Sequence, residues 1–222
     1  MSQSSLQEER SAETRKRVLD AAISCLNERG YAGITTSEIA ERAGVSRGAQ
    51  VHHFRHKQDL VIGALDRICE LRLAQLSQEV AQLPAGTPAS RLEMLIDVMW
   101  AGFQHPAFYA WLELVVASRT DPILRVAMRR ISYRLGIGFK SAFVNFLGNQ
   151  IVSPARAETI QSVVEVIFGK LESMAIERAL IEPDQPDPPA LAESINDLKQ
   201  IVRKLLSPMY ATENEGVVSR DA

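Results

Sequence analysis

The sequence predicts an all-α protein of about nine helices, with a three-helix helix-turn-helix domain at the N-terminus and a larger helical body behind it. Three observations carry that expectation. Valine and isoleucine recur at three- and four-residue spacing, with no alternating strand pattern. Proline punctuates the chain beyond residue 100 at His105-Pro106, Asp121-Pro122, Ser153-Pro154 and the stretch EPDQPDPP over 182–189, where helices must stop. Two capping signals, Thr35 with Glu38 three residues later and Ser46, flank Gly44, which can take the positive-φ conformation of a tight turn.

Taken in order, residues 1–11 (MSQSSLQEERS) are polar, lack the apolar run of a signal peptide, and are expected to form a flexible tail. Arg15 to Arg29 places Val18, Ala22, Ile23 and Leu26 on one side of a helix that stops at Gly30. Thr35 opens a short helix through Ile39, Ala40 and Ala43, Gly44 breaks it, and Ser46 caps another running to about Phe54. A long helix starts near Lys57, carries Leu60, Ala64, Ile68 and Leu71, and ends before Pro84, Gly86 and Pro88. Further helices are expected at 88–104, 106–119, 122–147, 154–181 and 188–210, and residues 212–222 are expected to fray. This divides the chain into a helix-turn-helix domain over 12–60 and a helical body over 61–211, the latter expected, from the aromatic cluster and apolar stripes described below, to be a ligand-binding and dimerisation domain.

Composition narrows the function. The chain has 222 residues, 46% of them hydrophobic, and a formal net charge of -2, so no global polycation draws it onto nucleic acid. Any grip on DNA must come from a local patch. Cys25 and Cys69 sit in apolar helical patterns without CxxC spacing and are expected as buried reduced thiols. No apolar run approaches the ~18 residues of a membrane span. The expected location is cytoplasmic, nucleoid-associated when bound to DNA. There is no glycine-rich phosphate loop, no metal-ligand cluster and no nucleophile beside a base, so neither an enzyme nor a cofactor is expected.

The local patch exists. From Arg42 to Gln58 there are four Lys or Arg and three His, with no Asp or Glu. The window coincides with the capped helix pair, in which Ile39, Ala43 and Val45 supply an inner apolar face and leave the second helix exposed to enter a major groove. His52, His53 and His56 have no cysteine or acid nearby to complete a metal site, so no metal is expected. Residues 14 to about 66 resemble the DNA-binding domain of the TetR/AcrR family of regulators. The resemblance rests on Gly30-Tyr31, Thr35, Ile39-Ala40, Ala43-Gly44-Val45-Ser46, His53-Phe54, and Lys57 followed by Leu60.

That resemblance implies that Ser46, Arg47, Gly48, Ala49, Val51, His52 and His53 face DNA, with Thr36 and Lys57 on backbone phosphates. The cap Thr35 is counted with this set. Arg47 can pair bidentately with guanine. Lys57 adds its charge to helix N-terminal amides that already favour phosphate. Gln50 and Val51 depart from the leucine and aromatic common in the family. Gln50 can read adenine through its amide or sit at the edge of the core, and Val51 can touch a thymine methyl.

In the body, aromatics gather from Met99 to Trp111 around the break at His105-Pro106, which leaves room for a cavity between helices. Trp100, Phe103, Phe108, Trp111, Phe139 and Phe143 are the expected walls of a site for a small hydrophobic or aromatic effector. Glu113, flanked by apolar residues, is either a polar anchor in that site, a salt-bridge partner of Arg119, Arg129 or Arg130, or simply exposed. The last two long helices carry Ile160, Val164, Ile167 and Leu171, then Leu191, Ile195, Leu198, Val202 and Leu205, alternating by four and three. With Val163 and Phe168 on adjacent faces, they are expected to form a homodimer interface. The combined expectation is a homodimeric repressor that binds a double-stranded DNA operator and is released from it by an effector. The alternative is an architectural or division-linked DNA-binding protein of the same fold without an effector.

Overall fold

The computed structural model describes residues 3–84, 86–147, 154–182 and 185–211. Among them the chain forms nine helices and no strand. These are α1 (Gln3–Gly33), α2 (Thr36–Arg42), α3 (Arg47–His53), α4 (Lys57–Gln82), α5 (Pro88–Gln104), α6 (Pro106–Ala117), α7 (Pro122–Leu147), α8 (Pro154–Arg178) and α9 (Pro189–Ala211). Pro88, Pro106, Pro122, Pro154 and Pro189 each stand at a helix start. Proline's fixed φ and missing N–H suit the first turn, where no intrahelical partner exists.

One expectation at the N-terminus is corrected. Residues 3–11 are helical rather than a flexible tail, although they bury almost nothing. Good helix formers (Leu6, Gln7, Glu8, Glu9) and the Ser5 hydroxyl donating to Glu9 four residues on (3.5 Å) support that exposed extension of α1. Gly30 interrupts the helix where the sequence indicated: it takes the non-helical φ 67 and ψ 171 and kinks the chain, so α1 is two helical segments joined at that residue.

The chain packs as two compact units. One comprises residues up to Gln75 together with His105–Gly138, and the other Leu76–Gln104 together with residues from Phe139 onward. The motif boundary near residue 60 is therefore not where packing divides, because the body's α6 packs along α1 of the reading head. Val18, Leu19, Ala22, Ile23, Cys25 and Leu26 of α1 are buried, as are Ala107, Phe108, Ala110, Trp111 and Leu114 of α6. Each fully buried large apolar side chain contributes about 1.5–3 kcal/mol. Burial raises the thiol pKa of both Cys25 and Cys69, which leaves them unreactive. Asp66 of α4 meets Arg130 (2.9 Å) and Arg134 (2.8 Å) of α7 at the surface of the same unit.

In the second unit α5 packs on both α8 and α9. Leu92, Leu95, Ile96, Met99 and Phe103 are buried with Ile167, Leu171, Met174, Leu198 and Val202. Surface ion pairs join α5 to α9, with Arg203 Nε donating to Glu93 (2.7 Å) and Lys199 to Asp97 (2.5 Å).

Candidate nucleic-acid interface

The reading head is built from α1, α2 and α3. Thr35 Oγ1 accepts the Glu38 N–H at 3.2 Å and Ser46 Oγ accepts the Ala49 N–H at 3.1 Å, so both short helices are capped where the sequence indicated. The Glu38 carboxylate does not close the capping box. It turns to Arg29 of α1 instead, at 3.3 Å. Gly44 takes φ 64 between the helices, and Ile39, Ala40 and Ala43 close the inner face. Helices this short are marginal alone, so α1 must hold them in place.

The outer face of α3 presents Arg47, Gly48, Val51 and His52, with Ser46 at its start and Arg55 just beyond its end, all exposed. Thr35 is exposed, while Thr36, Ala49 and His53 are half-buried. Arg47 Nη1 donates to Ser37 Oγ of α2 at 3.2 Å, which steadies the guanidinium at the surface and leaves four of its five N–H groups uncommitted to that bond. Val51, 42% exposed, offers an apolar contact. His53 has its pKa lowered from 6.5, first by burial and then by His52 and Arg15, so it is a neutral hydrogen-bonding group near pH 7.

Four sequence expectations change here. The basic window is acid-free in sequence but not in space: Arg42 forms a two-pronged pair with Glu28 of α1, one prong at 2.6 Å. That hydrogen bonding raises the arginine's pKa and lowers the carboxylate's. Gln50 lies inside, 1% exposed, its Nε2 donating to the Phe54 carbonyl at 2.9 Å, so it takes the core placement and not adenine reading. Its inward turn follows from the α3 periodicity that buries it beside Phe54.

Lys57 is half-buried and its Nζ donates to the Tyr31 carbonyl at 3.0 Å while lying 5.1 Å over the Tyr31 ring. Burial lowers its pKa, and the ammonium is directed at the end of α1 rather than outward to a phosphate. Glu113 takes the exposed placement among its three readings, not the polar-anchor or salt-bridge one, and it also accepts the Tyr31 N–H at 3.0 Å, which none of them foresaw. Sequence inspection missed this convergence on Tyr31. Its only local signal was the Gly30-Tyr31 pair, because the partners lie 26 and 82 positions away.

The seven expected effector-site residues fall in both units. Phe108 and Trp111 are buried in the first, where Arg72 lies 5.6 Å over the Phe108 ring. Trp100 and Phe103 are buried in the second. There Phe103 and Phe139 stand edge-on to Phe168 at 4.9 and 5.5 Å. The Phe143 side chain lies outside the described residues.

The expected dimer stripe is corrected by burial. Ile167, Leu171, Leu198 and Val202 sit in the second unit's own core, Val164, Leu191 and Ile195 are half-buried, and Leu205 alone is exposed, at 56%. The Ile160 side chain lies outside the described residues. A four-three stripe marks a buried face without saying which neighbour buries it, and here α5 does so. The apolar side chains left exposed are instead Val166 and Ile176 on α8, Leu180 just after it, and Ile201 and Leu205 on α9.

Among the described residues no three His, Cys, Asp or Glu side chains are grouped to hold a metal ion, and no helix is long and apolar enough to cross a membrane.

With this geometry in view, comparison with known proteins is specific. A family model described as bacterial regulatory proteins, tetR family, matches residues 18–64, which span the capped helix pair and the start of α4. The HTH-type transcriptional regulator CymR of Pseudomonas putida is 30% identical over 179 residues, covering 81% of this chain and 85% of that protein. A solved TetR-family regulator from Mesorhizobium loti superimposes with a TM-score of 0.65 at 19% identity, covering 89% of this chain and 97% of the other. A regulator from Saccharomonospora viridis, solved in complex with choline, has a TM-score of 0.60 at 20% identity, with 88% and 96% covered.

Proposed function

Since the chain belongs to the TetR family of bacterial regulatory proteins, we propose that this helix-turn-helix transcriptional regulator acts as a homodimeric repressor released from its operator by a small hydrophobic or aromatic effector. The observation that carries the DNA-binding half is the exposed face of α3, where Arg47 stands steadied by Ser37 beside Val51 and His52. A bidentate arginine reads guanine O6 and N7, and a valine methyl meets a thymine methyl, so the face suits a mixed-sequence major groove.

The exposed apolar side chains of α8 and α9 supply a surface on which a second copy can pack, which would place two reading heads on two half-sites. For the effector, the buried Phe103 and its ring neighbours Phe139 and Phe168 in one unit, and Phe108 and Trp111 in the other, favour ring-bearing or acyl ligands over sugars or phosphates. An effector acts only through its preference for the conformation that does not bind DNA, a coupling of about 1–3 kcal/mol that operator DNA must return in kind. Such a protein works in the cytoplasm, on the nucleoid when DNA-bound.

The test is selection of duplex fragments from source genomic DNA with purified protein, followed by Arg47→Ala on the preferred site. The variant should lose about 1–3 kcal/mol and relax base choice at one position of each half-site. Unchanged affinity and unchanged base preference would remove α3 as the reading element. For the effector, hydrophobic compounds that raise the melting temperature should also lower operator affinity, and stabilising compounds that leave it untouched would defeat the release mechanism.

A further inference from the structure

Tyr31 follows the kink at Gly30, and each of its polar groups is taken by a different element of the same compact unit. Its N–H donates to Glu113 Oε2 of α6 (3.0 Å), and its carbonyl accepts from Lys57 Nζ at the start of α4 (3.0 Å). Its hydroxyl donates to Asp121 Oδ2 ahead of α7 (3.3 Å). Asp121 in turn accepts from the N–H groups of Ile123 and Leu124 (3.0 Å each) and from Gln58 Nε2 (3.4 Å). A left-handed residue interrupts the helical ladder and frees an amide that would otherwise bond four residues back, and Glu113 occupies that amide. The fit is close. A Cβ at position 30 would stand 2.8 Å from Glu113 Oε2 and push the end of that side chain off its place, and φ 67 favours glycine in its own right.

We propose that Glu113 is a positioning residue for the DNA-reading head: from α6, and without touching DNA, it holds the last turn of α1 through the Tyr31 N–H, and through the Tyr31 carbonyl it sets where Lys57 stands. This rests on the DNA-binding reading above and adds to it a residue that no base or phosphate contact would identify. One carboxylate and one ammonium grip opposite ends of a single residue, so loss of the first loosens the anchorage of the second. The helix being held is the one on which α2 and α3 pack.

The sign of the effect separates this from simple charge. Removing an acid near DNA strengthens binding by electrostatics alone, whereas loss of a positioning contact weakens it. Glu113→Asp keeps the charge but draws the carboxylate back by about one carbon–carbon bond, ~1.5 Å, out of reach of the Tyr31 N–H. Glu113→Gln discards the charge but keeps an acceptor oxygen in place. On the duplex selected by the wild-type protein, E113D should bind about fivefold more weakly or worse, and E113Q should bind as tightly as wild type or tighter. On a scrambled duplex of equal length E113D should bind as wild type does. The E113D loss should shrink in a Lys57→Ala background, since the two act through one residue.

Far-ultraviolet circular dichroism and thermal melts of both variants should match wild type, since Glu113 is exposed. If E113D binds like wild type, or if E113Q weakens binding as much as E113D, Glu113 has no positioning role. If the wild-type protein selects no duplex at all, the DNA-binding reading falls first and takes this one with it.

Discussion

A buried amide with one end bonded and the other not has consequences at position 50. Gln50 Nε2 donates to the Phe54 carbonyl and so ties off the end of α3, while its Oε1 has no partner among the described residues. An unsatisfied buried acceptor costs about 1–3 kcal/mol, comparable to what the single bond returns. Gln50→Leu should therefore change stability by no more than about 1 kcal/mol. It should also leave base preference untouched, and any shift in preference at one operator position would put Gln50 back among the base readers. His53, beside it, adds a pH effect. The folded state holds its pKa below 6.5 while the unfolded chain keeps the ordinary value. Its contribution is therefore fully present above about pH 6.5 and is lost as pH falls below that, because the unfolded state takes up the proton first. His53→Gln should flatten the fall in melting temperature between about pH 7.5 and about pH 5.5, and an equal fall in both proteins would refute the assignment. Residue-level roles of this kind were the least legible part of the sequence. The caps Thr35 and Ser46 could be read because their partners lie three residues away, whereas the fate of Lys57 and Glu113 depended on a tyrosine far off in the chain.

Whole helices followed local rules closely. Pro88, Pro106, Pro122 and Pro154 each open a helix, and α5 and α7 span the ranges expected from periodicity and proline alone. The choice of which face of α8 and α9 looks outward did not follow, since the period gives the stripe and tertiary packing assigns its partner. That difference yields a contrast between two substitutions on one helix. Leu198→Glu places a charge in the core of the second unit and should unfold the chain, at a cost of several kcal/mol. Leu205→Glu or Ile201→Glu, at 56% and 53% exposure, should leave the melting temperature of the protomer nearly unchanged while abolishing dimerisation seen by light scattering. A dimer that survives both exposed substitutions at micromolar concentration would move the interface elsewhere.

At the level of the whole molecule, the expected division at residue 60 followed a motif, and motifs do not report which later helix shields an earlier one. The unit that reads DNA is discontinuous: residues up to Gln75 need His105–Gly138 beside them. A fragment ending at Gln75 leaves the α1 face that receives α6 uncovered. It should melt broadly and bind a hydrophobic dye, whereas the full chain melts cooperatively. A sharply melting 1–75 fragment with full operator affinity would show the head to be self-sufficient. The same discontinuity orders events at birth. At about 5–20 residues per second, translation reaches residue 138 roughly 3–13 s after residue 75. The helices that meet DNA are thus made early and completed late. In that interval the nascent chain offers a bare apolar helix to chaperones, and a truncated message yields no completed reading head to compete for DNA.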